Sequence, residues 1–358
     1  MKDLNNCLVR LNDNINREMK ITILSSLLIF SFASAVGQDI NTAGLVCKLS
    51  SFSFKGDLSY ERLDTSLDVT IPGKRWGHQL IYDEVNSRVL LFGGSHGDTI
   101  LRDLWAWDGS QWDDLTQDGT PAINKGVFVY DADRKTSVLF GGANSRGENM
   151  GSTWEWNGKT WKEIKMKGPA ARVHSSGVYD RKNKLVLIFG GFGSAGMLND
   201  TWAFNGNAWE QMNAHGPADR LPLAMIYDET KEAVVMITDL LKQDTLISVP
   251  KNEMWEWTGA AWKNLQVSIP SITGLQAFAS LGKNDILLYD GDKGTTWKYN
   301  SNQWQAVSNS GPGIRAGHTM VYDKKRKNIV LFGGGKADTN DRYNDTWEWD
   351  GEKWKKIK

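Results

Sequence analysis

Residues 105–112 read WAWDGSQW, with three tryptophans in eight positions. Aromatic residues at i and i+2 point to one face of a β-strand, and Asp108-Gly109 suits the positive backbone φ angles of a tight hairpin turn. Trp112 would then open the returning strand. The stretch predicts a β-hairpin, and it raises the question whether its aromatic surface binds a ligand or stabilises the fold.

The same spacing returns five more times along the chain. The copies are WEWNGKTW at Trp154, WAFNGNAW at Trp202, WEWTGAAW at Trp255, WKYNSNQW at Trp297 and WEWDGEKW at Trp347. The turn is poorest in the fifth unit, where Asn300-Ser301 replaces Asn-Gly or Asp-Gly. A hairpin pattern that recurs at a fixed period predicts a repeat architecture.

A second pair of strands precedes each hairpin. In the first unit, GHQLIYDEVNSRVLLFGG (77–94) contains an apolar strand ending at Tyr-Asp, a turn, and another apolar strand ending at Gly-Gly. Similar text returns as VFVYDADRKTSVLFGG, SGVYDRKNKLVLIFGG and TMVYDKKRKNIVLFGG, whereas the fourth unit has Thr238-Asp239 in place of the glycine pair. Each unit therefore predicts four short strands within about 40 to 50 residues.

Six such units without helical periodicity predict an all-β fold, a six-bladed β-propeller with four antiparallel strands per blade. The arrangement strongly resembles the Kelch and galactose-oxidase central-domain family. The resemblance rests on the P-x-x-R-x-G-H opening, the Tyr-Asp turn, the Gly-Gly pair and the spaced tryptophans. It covers residues 72–358, which we predict to be the Kelch propeller domain. Six prolines open the units: Pro72, Pro121, Pro169, Pro217, Pro270 and Pro312.

The start of the chain has the features of an export signal. Met19-Lys20 precede the apolar run ITILSSLLIFSFA (21–33), and Ala33-Ser34-Ala35 offers a small-x-small cleavage site. We expect cleavage near Ala35 and a periplasmic or extracellular mature protein. A permanent anchor is the weaker alternative, because the run is shorter than the roughly 20 residues that span a bilayer.

Residues 1–35 are thus predicted to be an upstream extension followed by the signal peptide, with either Met1 or Met19 as the first residue. Residues 36–71 are predicted to form an N-terminal segment, part of which packs on the propeller. If residues 1–35 are removed, Cys7 is lost and Cys47 has no partner for a disulfide.

Composition narrows the classes of partner. The 42 basic and 42 acidic side chains balance, so binding to nucleic acid by general electrostatics is disfavoured. We expect a monomer with no membrane span in the mature chain. A hydrophobic fraction of 40% is sufficient for a large core.

The tryptophans are predicted to be structural. Of the 17 tryptophans, all but Trp76 lie in the six hairpins. A tryptophan side chain buries roughly 200 Å², whereas soluble proteins seldom expose apolar patches beyond a few hundred Å². Most of these rings must therefore be inside, and sugar stacking by one or two exposed members is the alternative.

Motifs with catalytic or ligand-binding precedents fit this sequence poorly. Residues 93–97 match G-x-S-x-G, but a nucleophile elbow needs a strand followed by a helix, and here a strand follows. Residues 191–196 match G-x-G-x-x-G without the helix that phosphate binding needs, and we predict a flexible loop. The acidic loop 338–345 lacks the spacing of an EF-hand, so no metal is predicted, and no cofactor either.

An arginine stands seven residues before the Tyr-Asp tyrosine in four units: Arg75, Arg172, Arg220 and Arg315. The family resemblance implies that the first strand of each blade is innermost, which would place these arginines around one channel mouth. His78 and His318 occupy matching positions, and His174 is one residue out of register. Either these groups tie strands and loops together, or they form a basic funnel for a carboxylate or another anion.

The longest connection in the repeat series is Asp239–Glu253 (DLLKQDTLISVPKNE) in the fourth unit. Its apolar residues are candidates for a partner contact, chiefly Leu240, Leu241, Leu246 and Ile247. One interpretation is that this loop folds over the weak fifth unit. The other is that it protrudes and binds a partner.

Two hypotheses for function follow. The first is an exported binding module that recognises a protein or glycan through loops at one face of the propeller. The alternative is a sugar-acting enzyme such as a sialic-acid mutarotase, which the family resemblance includes, with an arginine-lined channel mouth. No catalytic residue can be assigned by motif, and the copper oxidases of the family need a cysteine that this propeller lacks. The sequence therefore favours binding over catalysis.

Overall fold

A computed structural model provides the coordinates of the chain. It describes residues 71–240, 252–272, 277–281, 285–300, 302–336, 339 and 341–358. All of these belong to a compact unit that spans Thr70–Lys358. The predicted signal peptide and all but the last residue of the segment 36–71 lie outside the described residues, so these domain limits stay predictions.

Six antiparallel sheets of four strands each make up the described fold, and we number them as blades 1 to 6 in chain order. The described residues contain no helix. Within each blade the four strands pair in the order in which they occur along the chain. The predicted all-β, six-bladed propeller is confirmed.

The strands have the following bounds. Blade 1 contains β1 (Gln79–Asp83), β2 (Arg88–Phe92), β5 (Leu104–Trp107) and β6 (Trp112–Asp114), with a small hairpin of β3 (Ser95–His96) and β4 (Thr99–Ile100) between β2 and β5. Blade 2 contains β7 (Val127–Asp131), β8 (Thr136–Phe140), β9 (Thr153–Trp156) and β10 (Trp161–Ile164). Blade 3 contains β11 (Ser176–Asp180), β12 (Leu185–Gly193), β13 (Gly196–Phe204) and β14 (Trp209–His215). Blade 4 contains β15 (Arg220–Asp228), β16 (Ala233–Leu240), β17 (Asn252–Trp257) and β18 (Trp262–Asn264). Blade 5 contains β19 (Ala277–Ser280), β20 (Ile286–Asp290), β21 (Thr295–Asn300) and β22 (Gln303–Ser308). Blade 6 contains β23 (Thr319–Asp323), β24 (Asn328–Phe332), β25 (Thr346–Trp349) and β26 (Trp354–Lys356).

The first strands of the blades surround a central channel. Each first strand, from β1 and β7 to β23, contacts the first strands of both neighbouring blades, and β23 returns to β1 to close the cycle. The second strands behind them are almost wholly buried, as in RVLLF of β2 and NIVLF of β24. Continuous apolar text suits a strand that is covered on both faces.

Blades 6 and 1 meet where the ring closes. In each described blade all four strands come from one continuous stretch of the chain, so no strand of blade 6 pairs within the sheet of blade 1 or the reverse. The junction is held by backbone hydrogen bonds from Gly77 N to Gly317 O at 3.1 Å and from Gly334 N to Arg75 O at 2.9 Å. The side chain of Trp112 adds a hydrogen bond to Thr346 across the same junction.

The tryptophan hairpins form as predicted. In every blade an aromatic residue at the end of the third strand lies opposite the tryptophan that opens the fourth, with ring centroids 5.0 to 5.5 Å apart. Trp107, Trp156, Trp257 and Trp349 are all buried. Their predicted structural role is confirmed, and the opening question is answered for these rings.

The fourth-strand tryptophans also join neighbouring blades. In four blades the indole Nε1 donates at 2.8 to 2.9 Å to a threonine on the third strand of the preceding blade, one residue before that strand's first hairpin tryptophan. The pairs are Trp112–Thr346, Trp209–Thr153, Trp262–Thr201 and Trp354–Thr296. Leu104 and Met254 take the threonine position in the other two junctions, and there the Nε1 atoms of Trp161 and Trp304 have no partner among the described residues.

Steric crowding explains why glycine follows the second strand. Gly94 has φ +92°, and a Cβ atom there would lie 2.8 Å from the carbonyl oxygen of Trp76. Gly334 repeats this geometry in blade 6, with φ +84° and the carbonyl of Ala316 at 2.8 Å. Only glycine combines this backbone conformation with so close an approach.

Two stretches that the sequence predicts to be loops contain residues paired in β-strands. The G-x-G-x-x-G stretch is an extension of the β12–β13 hairpin in which Gly193 pairs with Gly196, so the prediction of a flexible loop was wrong. In blade 4, Asp239 pairs with Asn252 and Leu240 pairs with Arg220. Leu240 therefore belongs to a strand, whereas Leu241, Leu246 and Ile247 lie outside the described residues and their role stays a prediction.

Candidate functional site

The predicted arginines are held by carboxylates of their own blades. Arg75 donates to both carboxylate oxygens of Asp103 at 2.6 Å, and Arg172 to both oxygens of Asp200 at 2.6 and 2.9 Å. Arg315 makes the same two bonds to Asp345 at 2.8 and 2.9 Å. Each guanidinium also donates to a glycine carbonyl at the end of the second strand, and all three side chains are buried.

Arg220 has a related arrangement in blade 4, with its Nη2 atom 2.9 Å from Glu253 Oε1. In each of the four blades the acidic residue also accepts a hydrogen bond from the indole Nε1 two residues later, at 2.7 to 3.0 Å. The pairs are Trp105–Asp103, Trp202–Asp200, Trp255–Glu253 and Trp347–Asp345. An arginine, a carboxylate and a tryptophan thus form a repeated buried cluster.

Arg75, Arg172 and Arg315 are buried against these carboxylates, the arrangement expected if the arginines tie strands and loops together. Each of these three guanidinium groups is bound bidentately, the strongest geometry for an arginine–carboxylate pair. Burial alone would raise the pKa of Asp200, but hydrogen bonds from Arg172 and Trp202 and the Arg172 charge outweigh it, and that pKa is lowered. Ligand binding by these arginines stays an untested prediction.

A chain of backbone hydrogen bonds surrounds one mouth of the channel. Lys125 N donates to Gly77 O at 3.4 Å and His174 N donates to Lys125 O at 3.1 Å, continuing the bond from Gly77 to Gly317. All four residues have positive φ angles, between 54° and 64°. Glycine suits this conformation, whereas lysine and histidine seldom adopt it, so blades 2 and 3 hold Lys125 and His174 on strained backbone.

This mouth leads into a cavity of about 230 Å³, the histidine cavity, whose lining includes His78, His174 and His318. Trp76 lies on its rim and is half-buried. The Lys125 ammonium is 5.7 Å from the centre of the Trp76 ring, and the Arg342 guanidinium is 4.8 Å from it. Sequence reasoning missed this group, although Trp76 was visible as the one tryptophan outside the hairpins.

His78 and His318 are buried at equivalent positions and pack on the preceding blade. The His78 ring meets Phe332 edge-on at 5.5 Å, and the His318 ring meets Tyr289 edge-on at 5.4 Å. No ring nitrogen makes a well-aligned hydrogen bond with a described residue, although the backbone of Phe332 lies close enough to His78, and that of Tyr289 to His318, to raise the pKa of each ring against the effect of burial. Burial, aided by the charge of Arg315, lowers the pKa of His318 to about 3, and burial lowers the pKa of His78 well below its usual value.

His174 is less buried than the other two histidines, and burial together with the charge of Lys125 lowers its pKa to about 4. All three imidazoles are therefore neutral at physiological pH and add no positive charge to the mouth. The cations there are Lys125 and Arg342. The ring nitrogens of His78 and His318 are buried in the wall and are not exposed to the cavity.

The free energy of unfolding is expected to fall as the pH drops below about 6.5, the usual histidine pKa. Below this pH the His318 side chain binds a proton in the unfolded chain but not in the folded protein. Each such histidine gives a slope of about 1.4 kcal/mol per pH unit, and this loss continues until the folded-state pKa near 3 is reached. Urea unfolding at pH 7.5 and pH 5.0 measures it, above the range in which carboxylates titrate. His318→Asn should lose about 2 kcal/mol less than the wild type between these pH values. An unchanged pH dependence in the variant would contradict the buried neutral ring.

The wall of the histidine cavity contains polar groups that no described residue satisfies. They are both ring nitrogens of His78 and His318 and the hydroxyl of Thr319. A buried polar group without a partner costs about 1 to 3 kcal/mol, so a concentration of them calls for a reason. These atoms have almost no accessible area, so they are enclosed by the packing of the channel wall and do not face the cavity.

Comparison with known proteins agrees with this geometry. The family model for the KLHDC2/KLHL20/DRC7 Kelch-repeats domain matches residues 37–219, just over half of the chain. The chain belongs to the Kelch-repeat family. No curated protein matches it.

A solved structure described as the structure of YjhT has a similar fold, with a TM-score of 0.57 and 11% sequence identity. The match covers 80% of this chain and 98% of that one. At this identity the likeness shows the fold alone. The Kelch match also begins at residue 37, upstream of the first described residue.

No cluster of three or more histidine, cysteine, aspartate or glutamate side chains is placed to hold a metal within the part of the chain that the structure describes. That part also has no helix long and apolar enough to cross a bilayer.

Proposed function

We propose that this Kelch-repeat protein is an exported binding module that recognises a protein or glycan at the mouth of the histidine cavity. The observation that carries the proposal is the group of Trp76, Lys125 and Arg342 beside the histidine cavity. An indole that is half-exposed on a rigid frame offers a stacking surface. Cations next to it favour a partner that carries acidic groups.

The partner's chemistry follows from the size and polarity of the cavity. A volume of about 230 Å³ admits one sugar ring or one peptide terminus but not a folded domain. A larger partner would have to insert such a group and contact the surrounding loops. The proposed partner is therefore an acidic glycan or an acidic peptide segment.

Binding fits the titration of the cavity better than acid–base catalysis does. A general base works best when its pKa is near the operating pH. The pKa of His318 is lowered to about 3 by burial, aided by the charge of Arg315, and that of His174 to about 4 by burial and the charge of Lys125, which makes both weak bases at neutral pH. For this reason we place the sugar-acting enzyme second.

The proposal is tested by screening the exported protein against an array of sialylated and other acidic glycans and a library of acidic peptides. Trp76→Ala and Lys125→Asn should each weaken the binding of any hit at least tenfold, a typical effect for an aromatic or charged hot spot. Asparagine is chosen because it tolerates the positive φ angle of Lys125.

Lys135→Asn is the matched control. Lys135 is an exposed lysine with φ 56° in the turn between β7 and β8, outside the lining of the histidine cavity. The control variant should bind like the wild type. The proposal fails if neither collection yields a ligand, or if a ligand binds equally to the wild type and Trp76→Ala.

A further inference from the structure

The channel has a second cavity on the other side of an apolar constriction. One side chain or glycine from each first strand lines both cavities, and these six positions are in register across the blades: Leu80, Phe128, Gly177, Met225, Phe278 and Met320. Beyond this layer lies a cavity of about 670 Å³, which we call the tyrosine chamber. Its volume is within the range of small-molecule sites.

Tyrosines of the Tyr-Asp turns line this chamber two residues further along the first strands: Tyr82, Tyr130, Tyr179, Tyr227 and Tyr322. Three of their hydroxyls tie each blade to the turn of the preceding one. Tyr82 accepts from Lys325 N at 3.1 Å, Tyr130 accepts from Val85 N at 3.3 Å, and Tyr179 donates to Asp133 at 2.6 Å. The tyrosine hydroxyls thus fix the wall and leave ring surface toward the chamber.

Four charged side chains from four different blades meet at the open end of the chamber. Glu84 and Glu229 each contact both Arg181 and Lys324. Lys324 Nζ is 3.0 Å from an oxygen of each glutamate, and Arg181 Nε is 3.7 Å from Glu229. Opposite charges therefore alternate around a closed ring of four, which we call the ion quartet, and Ala132 takes the corresponding place in blade 2.

The ion quartet is only partly shielded from solvent. The side chains of its four members are between 29% and 47% exposed. Ion pairs at such exposure contribute little to stability, so a glutamate can leave its place between the two cations at little cost. An incoming charged group can therefore replace one member of the ion quartet in its ion pairs.

The sign of that group follows from the charges that line the chamber. They are two acids, Glu84 and Glu229, and three bases, Arg181, Lys324 and Lys327. This excess favours an anion over a cation. Both glutamates also show that a carboxylate fits between Arg181 and Lys324, and guanidinium binds carboxylates in a favourable planar geometry.

We propose that the tyrosine chamber binds a small aromatic carboxylic acid. Its ring packs against the tyrosine and aliphatic wall, and its carboxylate replaces that of Glu84 between Arg181 and Lys324. The displaced Glu84 side chain turns to solvent, so no charge becomes buried without a partner. This site is separate from the histidine cavity and does not rest on the function proposed there.

The probe is 2-naphthoate, titrated calorimetrically into the full chain at neutral pH, with the alcohol 2-naphthylmethanol and the cation 2-naphthylmethylammonium as comparisons. Naphthoate should bind with one site and more tightly than either comparison compound. Arg181→Gln should weaken naphthoate binding at least tenfold, since it removes one of the two cations. Glu84→Gln should strengthen it about threefold or more, because the internal competitor for these cations is gone.

Lys182→Gln is the matched control, since Lys182 is an exposed lysine on the same turn that does not line the chamber. It should change the affinity less than twofold, and so should Trp76→Ala at the other mouth. The proposal is overturned if naphthoate does not bind, if the ammonium compound binds more tightly, or if Arg181→Gln binds naphthoate as well as the wild type does.

Discussion

Replacement of Arg172 by alanine is expected to lower the free energy of unfolding by about 3 to 5 kcal/mol, the usual cost of removing one partner of a buried ion pair. The change leaves the carboxylate of Asp200 without its cation. It also removes the guanidinium donors to the carbonyl oxygens of Ala170 and Gly190, at 3.0 and 3.1 Å, although Gly190 O keeps the Ser175 hydroxyl at 2.8 Å. Urea unfolding followed by tryptophan fluorescence measures the loss.

Two further variants distinguish the loss of the Arg172–Asp200 ion pair from the general effect of removing a positive charge. Arg172→Lys keeps the positive charge but cannot reproduce the planar two-bond contact, so it should fall between the wild type and Arg172→Ala. Lys165→Ala removes an exposed pair with Glu163 and should change stability by less than about 1 kcal/mol. An Arg172→Ala protein as stable as the wild type would show that Asp200 is satisfied without this arginine.

The hairpins and the number of blades could be predicted because their signals are local. A strand, a four-residue connection and a returning strand lie within eight residues, as in WAWDGSQW, and Trp107 pairs with Trp112 across the connection. Repetition then multiplies the evidence, since even the weak turn at Asn300 falls at the expected place in blade 5. The fold therefore follows from short-range patterns.

The partners of the arginines could not be predicted in the same way. Arg75 and Asp103 are 28 residues apart, and so are Arg172 and Asp200. Their contact depends on the second strand ending, and the third strand beginning, at the same edge of the blade. A signal was present, because a carboxylate stands two residues before the first tryptophan wherever the arginine occurs, but only the folded blade shows that the two groups meet.

The burial of the histidines also could not be predicted from the sequence. The pattern P-x-x-R-x-G-H places His78 near a channel mouth, and only packing on the preceding blade decides whether its ring faces water. Contact with Phe332 removes the ring from solvent, so that burial lowers its pKa and leaves it neutral. The site at this mouth consequently depends on Trp76 and Lys125, which no repeat pattern marks as a pair.

The second large effect is expected for Trp156→Ala, which should lower the free energy of unfolding by about 3 to 5 kcal/mol. Trp156 is 2% exposed and packs in a core cluster with Ile81 and Phe128, so its ring joins blades 1 and 2. Its Nε1 atom has no hydrogen-bond partner among the described residues. The cost is therefore that of lost apolar packing and a cavity, and unfolding in urea measures it directly.

Trp154 provides the comparison that decides between a structural and a ligand-binding role for the hairpin tryptophans. It lies on the same strand two residues earlier and is half-buried, with its Nε1 donating to Ser152 at 3.2 Å. Trp154→Ala should cost clearly less than Trp156→Ala, because less apolar area returns to water. Neither variant should alter glycan binding at the histidine cavity, which Trp76 lines and neither Trp154 nor Trp156 does. If Trp156→Ala melted like the wild type and lost a bound glycan, the aromatic surface of the hairpins would be a binding surface instead.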